Sequence, residues 1–294
     1  MTVCIGALCD RAKAAVICAD RELTVAALSL EFEHQESKID LISSQTVVMS
    51  SGDALLAAEV IGKMPSLPSG SVPPIRQIAE SLRDAYITVH LERAEQVILR
   101  PRGMTFEQFR KEGAQTLLAQ VYINVDQQLF NFGIGAVDFL VVGVDGTGSH
   151  IFRVHYNGVV GGSWMEWCDK IGSRAIGSGS SHAAMLLSLE GQHRRMTIAE
   201  TLFNVYSAKK SAELAPGVGR STDLAVMTAS GLVTIPESAI DALEELRAKT
   251  QKSKVDIKEV EAIYEVAIPK KQPKSGGRTS VQPAANARGS APPD

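Results

Sequence analysis

The chain has 294 residues, of which 45% are hydrophobic and 21% charged, with a formal net charge of -3. These values fit an ordinary globular protein and exclude the basic footprint of a nucleic-acid binder. No apolar run approaches the roughly 20 residues of a membrane helix.

Residues 2–8 and 14–19 read as two strands of a hairpin. The second, "AAVICA", is apolar on both faces, as in a strand covered on both sides. "SKIDLISSQTVVMSSGD" gives two more short strands, 37–42 and 46–50, around a Ser-rich turn. "DALLAAEVIGKM" starts a helix at Asp53, and "PSLPSGSVPP" is a loop. Two long helices are expected next. Residues 76–99 carry Ile78, Leu82, Ala85, Ile87, Val89 and Leu91 at helical spacing. Thr105 caps a second helix, "FEQFRKEGAQTLLAQVYINVDQQLF". Strands return at 137–144 and 149–160, joined by "DGTG". "KIGSRAIGSG" is a strand leading into a helix near Ser181. Thr197 and Glu200 form a capping box for the helix after it. "DLAVMTASGLVTI" is a hairpin, and 236–266 is helical, then mixed. This order predicts an α+β domain over 1–268, with two antiparallel sheets stacked between helical layers. From Pro269 to Asp294 the composition turns to Pro, Gly, Ser, Ala, Lys and Arg. Such a segment buries too little apolar surface to offset its ordering entropy, so a disordered tail is expected.

The four cysteines, Cys4, Cys9, Cys18 and Cys168, have no metal-ligand spacing, and the six histidines form no helical i, i+4 pair. No metal and no cofactor is therefore expected. Small buried thiols in a reduced protein, and no secretory leader pattern at the start, predict a cytoplasmic setting. The chemistry-bearing feature is at the front. Removal of Met1 would leave Thr2 with a free α-amine beside its own hydroxyl. One residue then supplies the nucleophile and, with an amine pKa of about 8, its base.

"TVCIG", "AVICADREL", "ESKIDLI", "VVMSSGDALLA" and "AIGSGSSHA" resemble, in this order, the landmarks of proteasome β-subunits and of bacterial proteasome-type ring peptidases. These belong to the N-terminal-nucleophile (Ntn) hydrolase superfamily. The resemblance spans residues 2–64 and 136–235 and rests on Thr2 with Gly6, Asp20, Lys38, Ser51 with Gly52, and Ser178. It implies a four-layer αββα sandwich and a threonine-type peptidase with Thr2 as nucleophile. Lys38 would favour the alkoxide, Asp20 would pair with Lys38, and backbone N–H groups at Ser51 and Gly52 would form an oxyanion hole. Ser178 would hydrogen-bond the Thr2 amine. The family closes this network with an aspartate and a serine after the last core helix. In "SAELAPGVGRSTDLAVM" the candidates are Glu213 and Ser221, and the spacing fits poorly. The Thr2–Asp20 and Asp20–Lys38 intervals are slightly long, and longer hairpin turns are expected to absorb both. The helical segment 76–131 is also enlarged. The implied partners are a peptide or unfolded-protein substrate, further copies in a homo-oligomeric ring, and an ATPase or other ring; no nucleic acid or membrane is among them. Two rivals share the fold: a non-catalytic structural ring subunit, and an Ntn amidase acting on a small-molecule amide.

Overall fold

The computed structural model describes residues 2–25, 30–35, 37–67, 73–156 and 163–252. The chain divides into two units, Met1–Arg247 and Ala248–Asp294. The tail expected from 269 lies outside the described residues, as does the expected helix beyond 252.

The protein is α+β, and every strand pair among the described residues is antiparallel. One five-stranded sheet has the order β10 (Ser173–Ile176), β1 (Cys4–Cys9), β2 (Ala14–Ala19), β11 (Asp223–Thr228), β12 (Gly231–Thr234). The other runs β5 (Ile39–Ser43), β6 (Thr46–Gly52), β7 (Val137–Asp145), β8 (Gly148–Tyr156), β9 (Ser163–Trp167). The double-faced apolar pattern of "AAVICA" is explained by its place: β2 is central, and all six of its residues are buried.

Three apolar clusters order the packing. Leu8, Ile17, Met49, Leu140, Val142 and Ile151 interlock the inner faces of the two sheets. Ile5, Val16 and Leu224 face helices α5 (Ser180–Leu189) and α6 (Ile198–Ala212) through Leu187 and Val205. Val48, Phe139 and Val154 face α1 (Ala54–Gly62) and α2 (Ile75–Ala94) through Leu56, Leu82 and Tyr86. Local signals start these helices where expected. The Asp53 carboxylate accepts from Leu55 N at 3.0 Å, and the Thr197–Glu200 capping box forms.

Four features depart from the expected elements. The buried stripe of α2 is Ile75, Ile78, Ala79, Leu82, Ala85, Tyr86, Val89 and His90, so Ile87 and Leu91 turn away from the sheet. The second long helix breaks: α3 (Phe106–Thr116) ends, Leu117 and Leu118 are extended, and α4 (Ala119–Phe130) begins. The break lets α4 return onto α3, where Tyr122 stacks on Phe109 at 4.9 Å beside Gly113. Two strands, β3 (Glu22–Val25) and β4 (Leu30–Glu33), form a small hairpin between Asp20 and Lys38. The strand β9 was also unforeseen; it is an edge strand whose Trp164 and Trp167 are exposed. The turn between β1 and β2 holds Asp10, Arg11 and Ala12 at positive φ. Backbone bonds from Asp10 to Met196, from Ala12 to Arg194 and from Ser149 to Ala12 keep it there.

Candidate active site

Thr2 leads into β1 and is 3% exposed. The backbone at Thr2 and Val3 is fixed on two sides. Asp20 N donates to the Val3 carbonyl at 3.1 Å, and Gly179 N donates to the Thr2 carbonyl at 3.3 Å. The second contact depends on Gly177, whose φ is +92°. A Cβ there would lie 2.2 Å from the Thr2 carbonyl oxygen, so only glycine lets the Gly177–Gly179 segment wrap the first strand.

The Thr2 hydroxyl donates to Asp20 Oδ1 and accepts from Lys38 Nζ, both through short contacts. Lys38 Nζ also lies 2.8 Å from Asp20 Oδ1, and Val3 N donates to the same oxygen at 3.2 Å. Asp20 is fully buried and Lys38 is 7% exposed. Burying such a pair is costly unless other polar groups meet it, and here Asp20 Oδ1 takes three donors while Lys38 Nζ has two acceptors. Thr2 and Asp20 belong to one sheet, at the start of β1 and the end of β2. Lys38 precedes β5 of the other. Thr2 N donates to Ser178 Oγ at 3.3 Å. The Ser178 hydroxyl in turn lies 3.4 Å from both the Thr2 and Pro216 carbonyls, either of which can accept its proton. Thr2, Asp20, Lys38 and Ser178 are therefore brought together from four separate stretches of chain.

Ser51 and Gly52 end β6. The Cys4 thiol donates to the Ser50 carbonyl at 3.5 Å, which ties this strand end to the start of β1. Gly52 has φ +111°, and a Cβ would meet the Ala136 carbonyl at 2.2 Å. Cys4 itself is no rival nucleophile, because burial pushes its thiol up to about 12, the nearby Lys38 ammonium only partly opposing this.

Glu213 and Ser221 are not brought to the group. Glu213 pairs with Lys209 at 2.5 Å and Lys210 at 2.8 Å, because the helical i, i+4 and i, i+3 spacings hold it on α6. Ser221 N donates to Glu33 Oε1 at 2.8 Å, at the base of the β3–β4 hairpin. Neither forms a hydrogen bond to Thr2, Asp20, Lys38 or Ser178. Main-chain groups of the intervening segment do: Gly219 N donates to Asp20 Oδ2 at 2.7 Å, and the Pro216 carbonyl faces Ser178. Sequence reasoning missed both, since a backbone amide has no residue signature.

Among the described residues no three His, Cys, Asp or Glu side chains are grouped to hold a metal ion. Nor is any described helix long and apolar enough to cross a membrane. What the arrangement can do is polarise one hydroxyl: a carboxylate accepts its hydrogen bond, an ammonium favours its anion, and the same residue's nitrogen meets a hydroxyl relay. No model of a known protein family matches the chain, and comparison with curated proteins finds no match.

Proposed function

We propose that this protein is a threonine-type peptidase of the proteasome kind, with Thr2 as its N-terminal nucleophile on a four-layer αββα Ntn-hydrolase sandwich. The observation that carries the reading is the convergence of Lys38 Nζ and Asp20 Oδ1 on the Thr2 hydroxyl, with Thr2 N on Ser178. The packing order of helices, sheet, sheet and helices supports the fold half of the proposal.

The mechanism follows from these atoms. With Met1 removed, the Thr2 amine takes the hydroxyl proton as Oγ1 attacks the scissile carbonyl. The Lys38 ammonium stabilises the developing alkoxide, and Asp20 holds Lys38 in place. Backbone N–H groups at Ser51 and Gly52 receive the oxyanion. Collapse of the tetrahedral intermediate expels the amine product, which leaves with the proton held by the Thr2 amine. Water, deprotonated by the same amine, then cleaves the acyl ester and restores Thr2. Substrates are peptides or unfolded chains, and copies of the chain close head-to-tail into a ring that an ATPase or other ring can cap. The four free, buried cysteines suit a cytoplasmic setting.

Intact mass, peptide turnover and epoxyketone labelling test the reading together. A chain lacking Met1 and unacetylated, labelled at Thr2 and inert as Thr2→Ala, is the expected result. Unchanged peptide turnover in Thr2→Ala would remove Thr2 as nucleophile. Turnover of small amides in preference to peptides would move the reading to the amidase class.

A further inference from the structure

The end of α6 carries consecutive lysines that both pair with Glu213 but differ in burial. Lys210 is half-buried; Lys209 is 0% exposed, one of the largest fully buried side chains in the protein. An ammonium with no access to water is costly unless its donors are met. Two acceptors face it: the Glu213 carboxylate at 2.5 Å and the Arg220 carbonyl at 2.7 Å. The first is a helical neighbour. The second belongs to the segment 215–221, which runs from α6 toward β11.

That segment touches the reacting group twice, and only through its main chain. Asp20 Oδ1 is occupied by the Thr2 hydroxyl, Val3 N and Lys38. Oδ2 is held by Gly219 N, the residue next to Arg220. The plane of the Asp20 carboxylate, and with it the direction in which Oδ1 meets Thr2 and Lys38, is set by where Gly219 lies. Three residues earlier, the Pro216 carbonyl faces the Ser178 hydroxyl that meets Thr2 N. A shift of this segment would therefore turn the carboxylate and free the serine together.

We infer that Lys209 is a positioning residue for the chemistry of Thr2: clamped by Glu213, it fixes the 215–221 segment through Arg220, so that Gly219 and Pro216 hold Asp20 and Ser178 in register. The inference rests on the threonine-hydrolase reading. It gives Glu213 a place three hydrogen bonds out from Asp20, and it assigns to a buried lysine and a backbone segment the closing role for which the sequence offers no well-spaced aspartate and serine.

Lys209→Met, which keeps the buried stem and removes the ammonium, tests it on the full chain. Glu213→Gln is the second variant, because it keeps an acceptor for Lys209 and perturbs packing less. Amide hydrogen exchange over 215–221, kcat and KM for a fluorogenic peptide, and the melting curve are read on both and on wild type. With a cooperative melt retained, exchange over 215–221 should rise and kcat should fall about tenfold to a hundredfold. KM should stay within about twofold, since the substrate is not touched. Glu213→Gln should move the same two readouts in the same direction by less. A folded Lys209→Met with unchanged loop exchange, or with its whole loss in KM, overturns the inference. If Lys209→Met does not fold, Glu213→Gln decides: unchanged exchange and kcat refute the clamp. Should wild type itself neither label at Thr2 nor cleave peptide, the hydrolase reading falls, while the exchange measurement still decides whether Lys209 holds the segment.

Discussion

Replacing Asp20 by Asn should destabilise the protein strongly, and the cause can be followed atom by atom. The carboxylate accepts from four donors: the Thr2 hydroxyl, Val3 N and Lys38 Nζ on one oxygen, and Gly219 N on the other. An Asn side chain has one acceptor. With its oxygen kept on the crowded side, its NH2 group faces Gly219 N, donor against donor. The buried Lys38 ammonium is left without a counter-charge. Removing one partner of a buried pair costs about 3–5 kcal/mol. At about 2–4 °C per kcal/mol for a chain of this size, the melting temperature should fall by about 6–20 °C. Lys38→Met in the same chain removes the stranded charge, so the double variant should be more stable than Asp20→Asn alone. Urea unfolding of the two single variants and the double gives the coupling directly. A loss below about 1 kcal/mol for Asp20→Asn, or no recovery in the double variant, would refute the reasoning, because such a small effect is typical of an exposed pair.

Gly177→Ala should cost at least about 2 kcal/mol in urea unfolding from positive-φ strain and the collision with the Thr2 carbonyl; unchanged stability would show that the segment does not wrap Thr2 as described. Hydrogen bonds from Ser221 hold the Glu33 carboxyl below its ordinary value of 4.5, so the stability it adds is full above that pH and lost as pH falls through the lower folded-state value. Glu33→Gln should accordingly flatten the acid decline of the melting temperature below about pH 4.5, and an identical decline in both proteins would exclude the linkage. Iodoacetamide at neutral pH should leave Cys4 unmodified in the folded protein, its thiol being buried and pushed up to about 12; rapid alkylation there would reopen a cysteine nucleophile.

Features written in local pattern were legible. The continuous apolar run of β2 marked a strand covered on both faces, and Asp53 and Thr197 marked helix starts, while Thr2, Asp20, Lys38 and Ser178 are singled out as a group only through the resemblance of their stretches to a family's landmarks. Features decided by tertiary contact were not. Nothing local to Leu117 and Leu118 ends a helix; the stacking of Tyr122 on Phe109 does. The two strands of the β3–β4 hairpin have only four residues each, too short for the alternation in Leu30–Glu33 to stand out. Glu213 has the right charge in the right region, yet its i, i+4 spacing from Lys209 already announced a different partner. The contacts that replace it come from the backbone of Pro216 and Gly219, which sequence patterns do not encode.

The polarised hydroxyl straddles a seam. Thr2 and Asp20 ride on one sheet and Lys38 on the other, and the two halves are held in step by the apolar interior shared by Leu8, Ile17, Met49, Leu140 and Val142, with polar ties such as Ser149 Oγ to the Ala14 carbonyl beside it. A chain with only the first sheet formed has the hydroxyl and the carboxylate but lacks the ammonium. The three-group arrangement therefore exists only once both sheets have docked. On the threonine-hydrolase proposal, a half-folded copy would carry Thr2 in a harmless form, and the interior that supplies stability would also time the onset of reactivity.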